Sequence, residues 1–448
     1  MILLIDSSRG TMYRDIFVFA HLDTEKPVIA GVLRYDESGG LGSFRYANSY
    51  VSRADALPIS IQPGLIELGS TVITETNNQG LPGPIRDSLP DYWGRLVFAS
   101  RMKIPAEKVS NVDLLLSPIP ERFGFLDFSD RADRCPTPSA PVVIPVLEHL
   151  DALIEVAEAL QENRKLNQQE EWAIALLAQG TSLGGARPKS VIRDNGELWL
   201  AKFPTKDDRY DVCGVEFATH AMANELGIRV PEAKLSAFPD GRRIFLTKRF
   251  DRDSQGRRLP ALSALSALGL DESENALGSY PAIARILQKL GDTHGRQELF
   301  KRMVFNAGIR NTDDHLRNHC ILYSRAHSAW NLSPGFDINP GIKRTGIGEQ
   351  FNLSIGIGKH GRSVTAENLL SSVTDFGLTE KEGKQIIGDV ANVLSRWREH
   401  FASAKIDNGT MELFSETFLS GQKMLRECLS TSVMLNRKHP GVKPSGIE

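Results

Sequence analysis

The chain has 448 residues, 41% of them hydrophobic, which is enough for two or three domains with packed cores. Its 53 Lys and Arg against 55 Asp and Glu give a net charge of -2, which argues against a large nucleic-acid surface but not against a local basic patch. Four scattered cysteines (Cys135, Cys213, Cys320, Cys428) read as reduced thiols, the apolar run 1–5 is too short for a signal peptide, and no stretch approaches a membrane span, so a soluble cytoplasmic protein without a membrane partner is expected.

In chain order, 15–22 and 27–35 are β-branched and aromatic runs with partial alternation, followed by the turn 36–40. Residues 87–97 read as a loop feeding a helix, with Pro90 near its first turn, and 123–128 alternates as a further strand. The proline-rich stretch 135–141 marks a boundary. Helical spacing of Val146, Leu147, Leu150, Leu153, Ile154 and Ala157 covers 146–162, and a second helix covers 168–178. After the glycine-rich loop 180–189, two short strands, 190–193 and 197–203, flank Asp194-Asn195-Gly196, a hairpin-turn signal. A helix over 215–226 ends at Gly227, and 243–250 is one more strand. Beyond residue 260 the pattern is mostly helical, apart from the loop around 311–318. The expected organisation is a strand-rich subdomain over 1–135, a region over 140–250 carrying the glycine-rich loop, and a helical lobe over 251–448. That is an α+β class with the two-lobed arrangement of kinases.

The chemistry concentrates in Asn311-Thr312-Asp313-Asp314-His315-Leu316-Arg317-Asn318 and in Gly335-Phe336-Asp337. Phosphoryl transfer from ATP needs a carboxylate to orient the attacking hydroxyl, and an amide oxygen with a second carboxylate to hold Mg²⁺. Asp313 and Asn318 have the five-residue offset of a kinase catalytic loop, and Asp337 can supply the second metal ligand. Lys202 lies on a strand and Glu216 fourteen positions later on a helix, the pairing that holds a phosphate lysine extended. For either residue a place on the surface is the bland alternative. The stretch from Ser182 to Lys189 can fold over phosphates, since its glycines allow close backbone approach and Arg187 and Lys189 add charge. A turn between helix and strand is the plain alternative, and a Walker A reading fails because Lys189 does not follow a glycine.

His315 and His319 could share a metal face, but no third ligand is evident, and His315 reads better as a lining residue. The literal Asp375-Phe376-Gly377 leads into Thr379 and Glu382, a capping box, and reads as a helix start.

Taken together, these residues resemble the HipA family of serine/threonine kinases, the toxin halves of bacterial HipA–HipB toxin–antitoxin modules. The resemblance runs through 44–50, 87–95, Gly184 to Lys189, Arg249-Phe250-Asp251-Arg252 and 311–319. It implies Asp313 as catalytic base, Asn318 and Asp337 as Mg²⁺ ligands, and Lys202 on phosphate with Glu216 as its ion-pair partner. ATP would be held by Gly184, Gly185, Ala186, Arg187, Pro188 and Lys189, by His315, and by the hinge residues Lys248, Arg249 and Phe250. Ser182 matches the family's autophosphorylated serine. Lys248 departs from members with an acidic hinge residue. A HipB-like DNA-binding antitoxin is the implied partner, with DNA contacted only through that complex. A translation-related protein is the implied substrate. The other reading is a kinase fold kept mainly as a corepressor binding module.

Overall fold

The computed structural model describes residues 4–6, 11–23, 26–63, 65–69, 71–134, 144–178, 185–238, 240–343 and 350–430. Ser182, Gly184 and the predicted linker 135–141 lie outside them. Helices and sheets are mixed, as the α+β expectation requires.

Among the described residues, three antiparallel sheets organise the chain. The first orders β1 (Leu4–Asp6), β2 (Thr11–Ala20), β3 (Val28–Asp36), β4 (Leu41–Tyr46) and β5 (Ile73–Glu75), with β6 (Leu126–Ser129) pairing β2. Alternation along β2 to β4 buries Ile16, Val18, Leu33, Phe44 and Tyr46 in one core with Phe125 and Phe128. The predicted strand 123–128 starts later, at Leu126, because Gly124 adopts φ +71° and breaks the extension.

The second sheet orders β7 (Lys189–Asp194), β8 (Glu197–Lys202), β10 (Arg243–Lys248) and β9 (Ala233–Ala237). Asn195 and Gly196, at φ 50° and 82°, make the hairpin turn that the sequence signals. Strand β9 was not foreseen. The helix Val212–Glu225 starts three residues before the predicted 215, because the Asp211 side chain accepts from the Gly214 amide.

In the helical lobe, Tyr280–Lys289, Thr293–Gly308, Glu380–Ser395 and Asn408–Ser430 pack around one large core. The Thr379–Glu382 capping box opens Glu380–Ser395, and the Asp375-Phe376-Gly377 motif closes the short 3-10 turn Val373–Phe376 just ahead of it, with Gly377 at φ 73°. A short sheet of β11 (Ala261–Ser263), β12 (Cys320–Ser324) and β13 (Ala329–Leu332) lies inside this lobe and carries the loop 311–318 at its edge.

The strand-rich unit is docked on the helical lobe by buried ion pairs. Arg249, locked onto Asp251, donates to the Glu121 carbonyl at 2.8 Å, Asp251 accepts the Gly124 amide at 3.2 Å, Arg252 reaches Glu121 at 2.9 Å, and Arg258 reaches Asp127 at 2.9 Å. Asp87 binds the Ser263 amide at 2.6 Å and its hydroxyl at 2.9 Å. Such pairs cost desolvation and persist because each charge is matched.

Candidate active site

Strand β8 ends on Lys202, whose side chain turns inward toward the helix Val212–Glu225. Its Nζ lies 2.5 Å from Glu216 Oε1 and 2.7 Å from Asp337 Oδ1. Burial would lower the lysine, but the Asp337 and Glu216 charges outweigh it and hold Lys202 above its usual range. Burial works against the Asp337 carboxylate as well. Lys202 and Lys189 overcome it, so Asp337 stays ionised well below the carboxylate range. Glu216, sealed from solvent, is pushed up by burial despite its lysine. Asp337 occupies left-handed backbone at φ 57°, a conformation that Asp tolerates better than most residues. Asn339 braces it, with Nδ2 donating to Asp337 Oδ1 at 3.2 Å.

The loop 311–318 leaves the helix Thr293–Gly308 through Arg310 at φ 58°. Its two adjacent aspartates diverge. Asp314 is buried, accepting from the Tyr280 hydroxyl and pairing with His319 Nε2 at 3.0 Å. Asn306 donates to the same tyrosine at 3.0 Å, and Asn311 donates to Asn306 at 3.1 Å. Asp314 therefore holds the loop. Asp313 is exposed and faces the cleft, where burial of part of its surface raises its carboxyl. Asn318 Nδ2 donates to the Asp313 carbonyl at 3.3 Å, fixing the span between the two predicted roles. His319 belongs to the loop's interior, while His315 lines the cleft.

Two cavities meet at Lys202, Lys189, Asp337 and His315. One, of ≈ 1080 Å³, is an apolar slot walled by Leu200, Phe245, Phe250, Phe336 and Ile338. Phe250 and Phe336 rings stand 5.1 Å apart there. The other, of ≈ 2900 Å³, opens on Asp313 and is bordered by Arg86, Tyr92, Arg95 and Glu272. Lys189 lies buried between them, and its burial brings its ammonium down to about 8.

Gly185, Lys189, Lys202, Lys248, Arg249, Phe250, His315, Asn318 and Asp337 all line the slot, and Glu216 stands behind Lys202. Ala186 and Arg187 border the larger cavity, but the Arg187 guanidinium is engaged by Asp208, at 3.0 Å through Nη1. Pro188 contributes its carbonyl to the Phe203 amide. Arg249 is locked onto Asp251, and Lys248 forms an exposed pair with Glu197. Asp91, Arg317 and Asn339 also reach the site and were missed. Asp91 lies in the 87–95 stretch, which the sequence singles out without assigning it a role.

Residues 181–397 match the family described as the HipA-like C-terminal domain. That stretch, just under half of the chain, is HipA-like. The chain is 28% identical over 180 residues to a Haemophilus influenzae protein named "Putative kinase", covering 36% of this chain and 52% of the relative. It is 29% identical over 158 residues to "Putative kinase Y4dM" of Sinorhizobium fredii, covering 32% and 37%. The matches thus span about half, or less, of the curated relatives. A chain of the Shewanella oneidensis MR-1 toxin–antitoxin complex of HipA, HipB and operator DNA superposes with a TM-score of 0.61 at 15% identity. That likeness covers 93% of this chain and 100% of the other, and it is one of fold.

Proposed function

We propose that this HipA-like chain is an ATP- and Mg²⁺-dependent protein serine/threonine kinase, the toxin of a toxin–antitoxin module. The observation that carries the reading is Lys202 held between Glu216 and Asp337 at 2.5 and 2.7 Å, with Asp313 and Asn318 on the same cleft.

The apolar slot takes the nucleobase between β8, β10 and the Phe250–Phe336 pair. The Lys248 and Arg249 amides already donate to Glu232 and Leu198, so the hinge is left to offer carbonyl oxygens to the base. Lys189 and Lys202 hold phosphate as cations. An ionised carboxylate at Asp337 and the Asn318 amide oxygen are hard oxygen donors that suit Mg²⁺. When bound, Mg²⁺ would neutralise charge on the phosphates. Asp313 orients a serine or threonine hydroxyl and accepts its proton as the oxygen takes the terminal phosphoryl group, with ADP as leaving group. Its raised carboxyl makes it a better base than an ordinary aspartate.

Autophosphorylation at Ser182 would place about two negative charges at the head of the glycine-rich loop and disturb its phosphate contacts. The partner is a small HipB-like antitoxin that supplies the base contacts to operator DNA. The near-neutral charge of the chain leaves it poorly suited to hold DNA alone. The substrate is a translation-related protein in the cytoplasm. Among the described residues no helix is long and apolar enough to cross a membrane. Intact mass after incubation with Mg·ATP tests the enzyme and the serine together. Phosphate mapping to Ser182 is expected, and phosphate confined to other sites overturns the Ser182 assignment.

A further inference from the structure

Asp91 stands at the N-cap of the helix Tyr92–Met102, where an aspartate ordinarily accepts from its own helix's first amides. It makes no such bond. Both carboxylate oxygens are turned outward, across the boundary to the other lobe. Oδ2 accepts the Gly185 amide at 2.7 Å, and Oδ1 accepts from Arg317 Nη2. Gly185 lies within the glycine-rich loop 180–189, and Arg317 sits between Asp313 and Asn318. Two residues after Asp91, Trp93 Nε1 donates to the Lys189 carbonyl at 2.8 Å, gripping the loop's C-terminal end. Gly185 has φ +113°, and a Cβ there would lie 2.4 Å from Lys189 Nζ, so the loop is closely stacked at this point.

We propose that Asp91 is a positioning residue that clamps the glycine-rich loop to the catalytic loop, so that the N-terminal unit builds one wall of the phosphate site. The inference rests on the kinase reading for its meaning and on geometry for its content. Asp91 lies outside residues 181–397, so the family-matched domain alone lacks this wall.

Docking of the two units does not depend on the clamp, since Asp87 and the Arg252–Glu121 and Arg258–Asp127 pairs already hold them together. The Asp91 and Arg317 side chains are 17% and 15% exposed, largely shielded from water, so their pairing is little screened. Arg317 has a second carboxylate in Glu272 at 3.4 Å, itself bound by Arg86 at 2.5 Å. Removing Asp91 therefore leaves Arg317 partnered but drawn away from the glycine loop. The competing account makes Asp91 a mere occupant of donors that phosphate would claim.

The test uses the full-length chain with Asp91→Ala and Asp91→Asn. Hydrogen exchange is read at the Gly185 amide, and affinity is measured with a fluorescent ATP analogue. The clamp predicts exchange at Gly185 about tenfold faster in Asp91→Ala, the scale of one lost bond to a charged acceptor, with protection in the sheet cores unchanged. Asp91→Asn keeps an acceptor for Gly185 and should lie between. Affinity for the analogue should fall by about tenfold in Asp91→Ala, in line with the exchange. Unchanged Gly185 exchange, a uniform rise across the whole fold, or tighter nucleotide binding would each overturn the clamp. If Asp91→Ala does not fold, Arg317→Gln tests the other half of the bridge, with slower phosphoryl transfer expected and unchanged kinetics contradicting it. Absence of analogue binding in the wild type would strike the kinase reading alone, because the exchange at Gly185 still decides the clamp.

Discussion

Replacing Lys202 by methionine removes the cation shared by Glu216 and Asp337 while keeping an apolar stem of similar length. The Lys202 and Glu216 side chains are 7% and 4% exposed, whereas Asp337 is 35% exposed. The loss should therefore come mainly from Glu216. Stranding one partner of a buried pair costs about 3–5 kcal/mol, while the partly solvated Asp337 contribution is nearer ~1 kcal/mol. Glu216 already has a raised carboxyl, and without Lys202 it rises further. A raised carboxylate in the folded chain binds a proton that the unfolded chain releases. The deficit of Lys202→Met must then be largest at neutral pH and shrink as pH falls through the folded-state pKa of Glu216. Adding Glu216→Gln should recover roughly 2 kcal/mol at neutral pH and flatten the pH dependence, since an amide carries no charge to strand. Urea unfolding followed by tryptophan fluorescence at several pH values reads both. A deficit independent of pH, or no recovery in the double variant, would refute the buried triad as the source of the cost.

The two neighbouring aspartates should separate cleanly: Asp314→Asn should lose about 2 kcal/mol of stability through the Tyr280 and His319 bonds, while Asp313→Asn melts like the wild type. Lys189, at about 8, should hold phosphate as an ammonium, so affinity for Mg·ATP should be full below about 8 and decline above it. Titration calorimetry across pH checks this, and Lys189→Met should abolish the trend. Asp251→Asn should destabilise the joint between the units by about 3–5 kcal/mol at neutral pH. Because Asp251 is held well below the carboxylate range, its contribution is present at neutral pH and lost only as pH falls beneath that range, which acid titration of the melting temperature would follow.

What could be read from the sequence is what the chain encodes over short distances. Lys202 and Glu216 are fourteen positions apart, with strand and helix patterns fixing where each points. Asp313 and Asn318 share one loop, and the capping box at Thr379 removed the competing Asp375 motif. What escaped depends on distant partners. The Arg187 guanidinium is engaged by Asp208, 21 positions on, a pairing that the loop's own pattern does not signal. Asp91 meets Gly185 and Arg317 from 94 and 226 residues away, a separation that periodicity does not encode. The sheet β11–β13 was hidden because its strands, such as Cys320–Ser324, are too short to stand out in a helical background.

The central claim is that Asp313 is the base of a phosphoryl-transfer site built on Lys202, Asn318 and Asp337. The direct measurement is transfer of labelled phosphate from Mg·ATP onto protein, by wild type and by Asp313→Asn, with nucleotide affinity and melting recorded for both. The account predicts label on protein in the wild type and none above background in Asp313→Asn, with affinity and melting preserved. Equal labelling by the two proteins, or no labelling by a wild type that binds Mg·ATP, would contradict it.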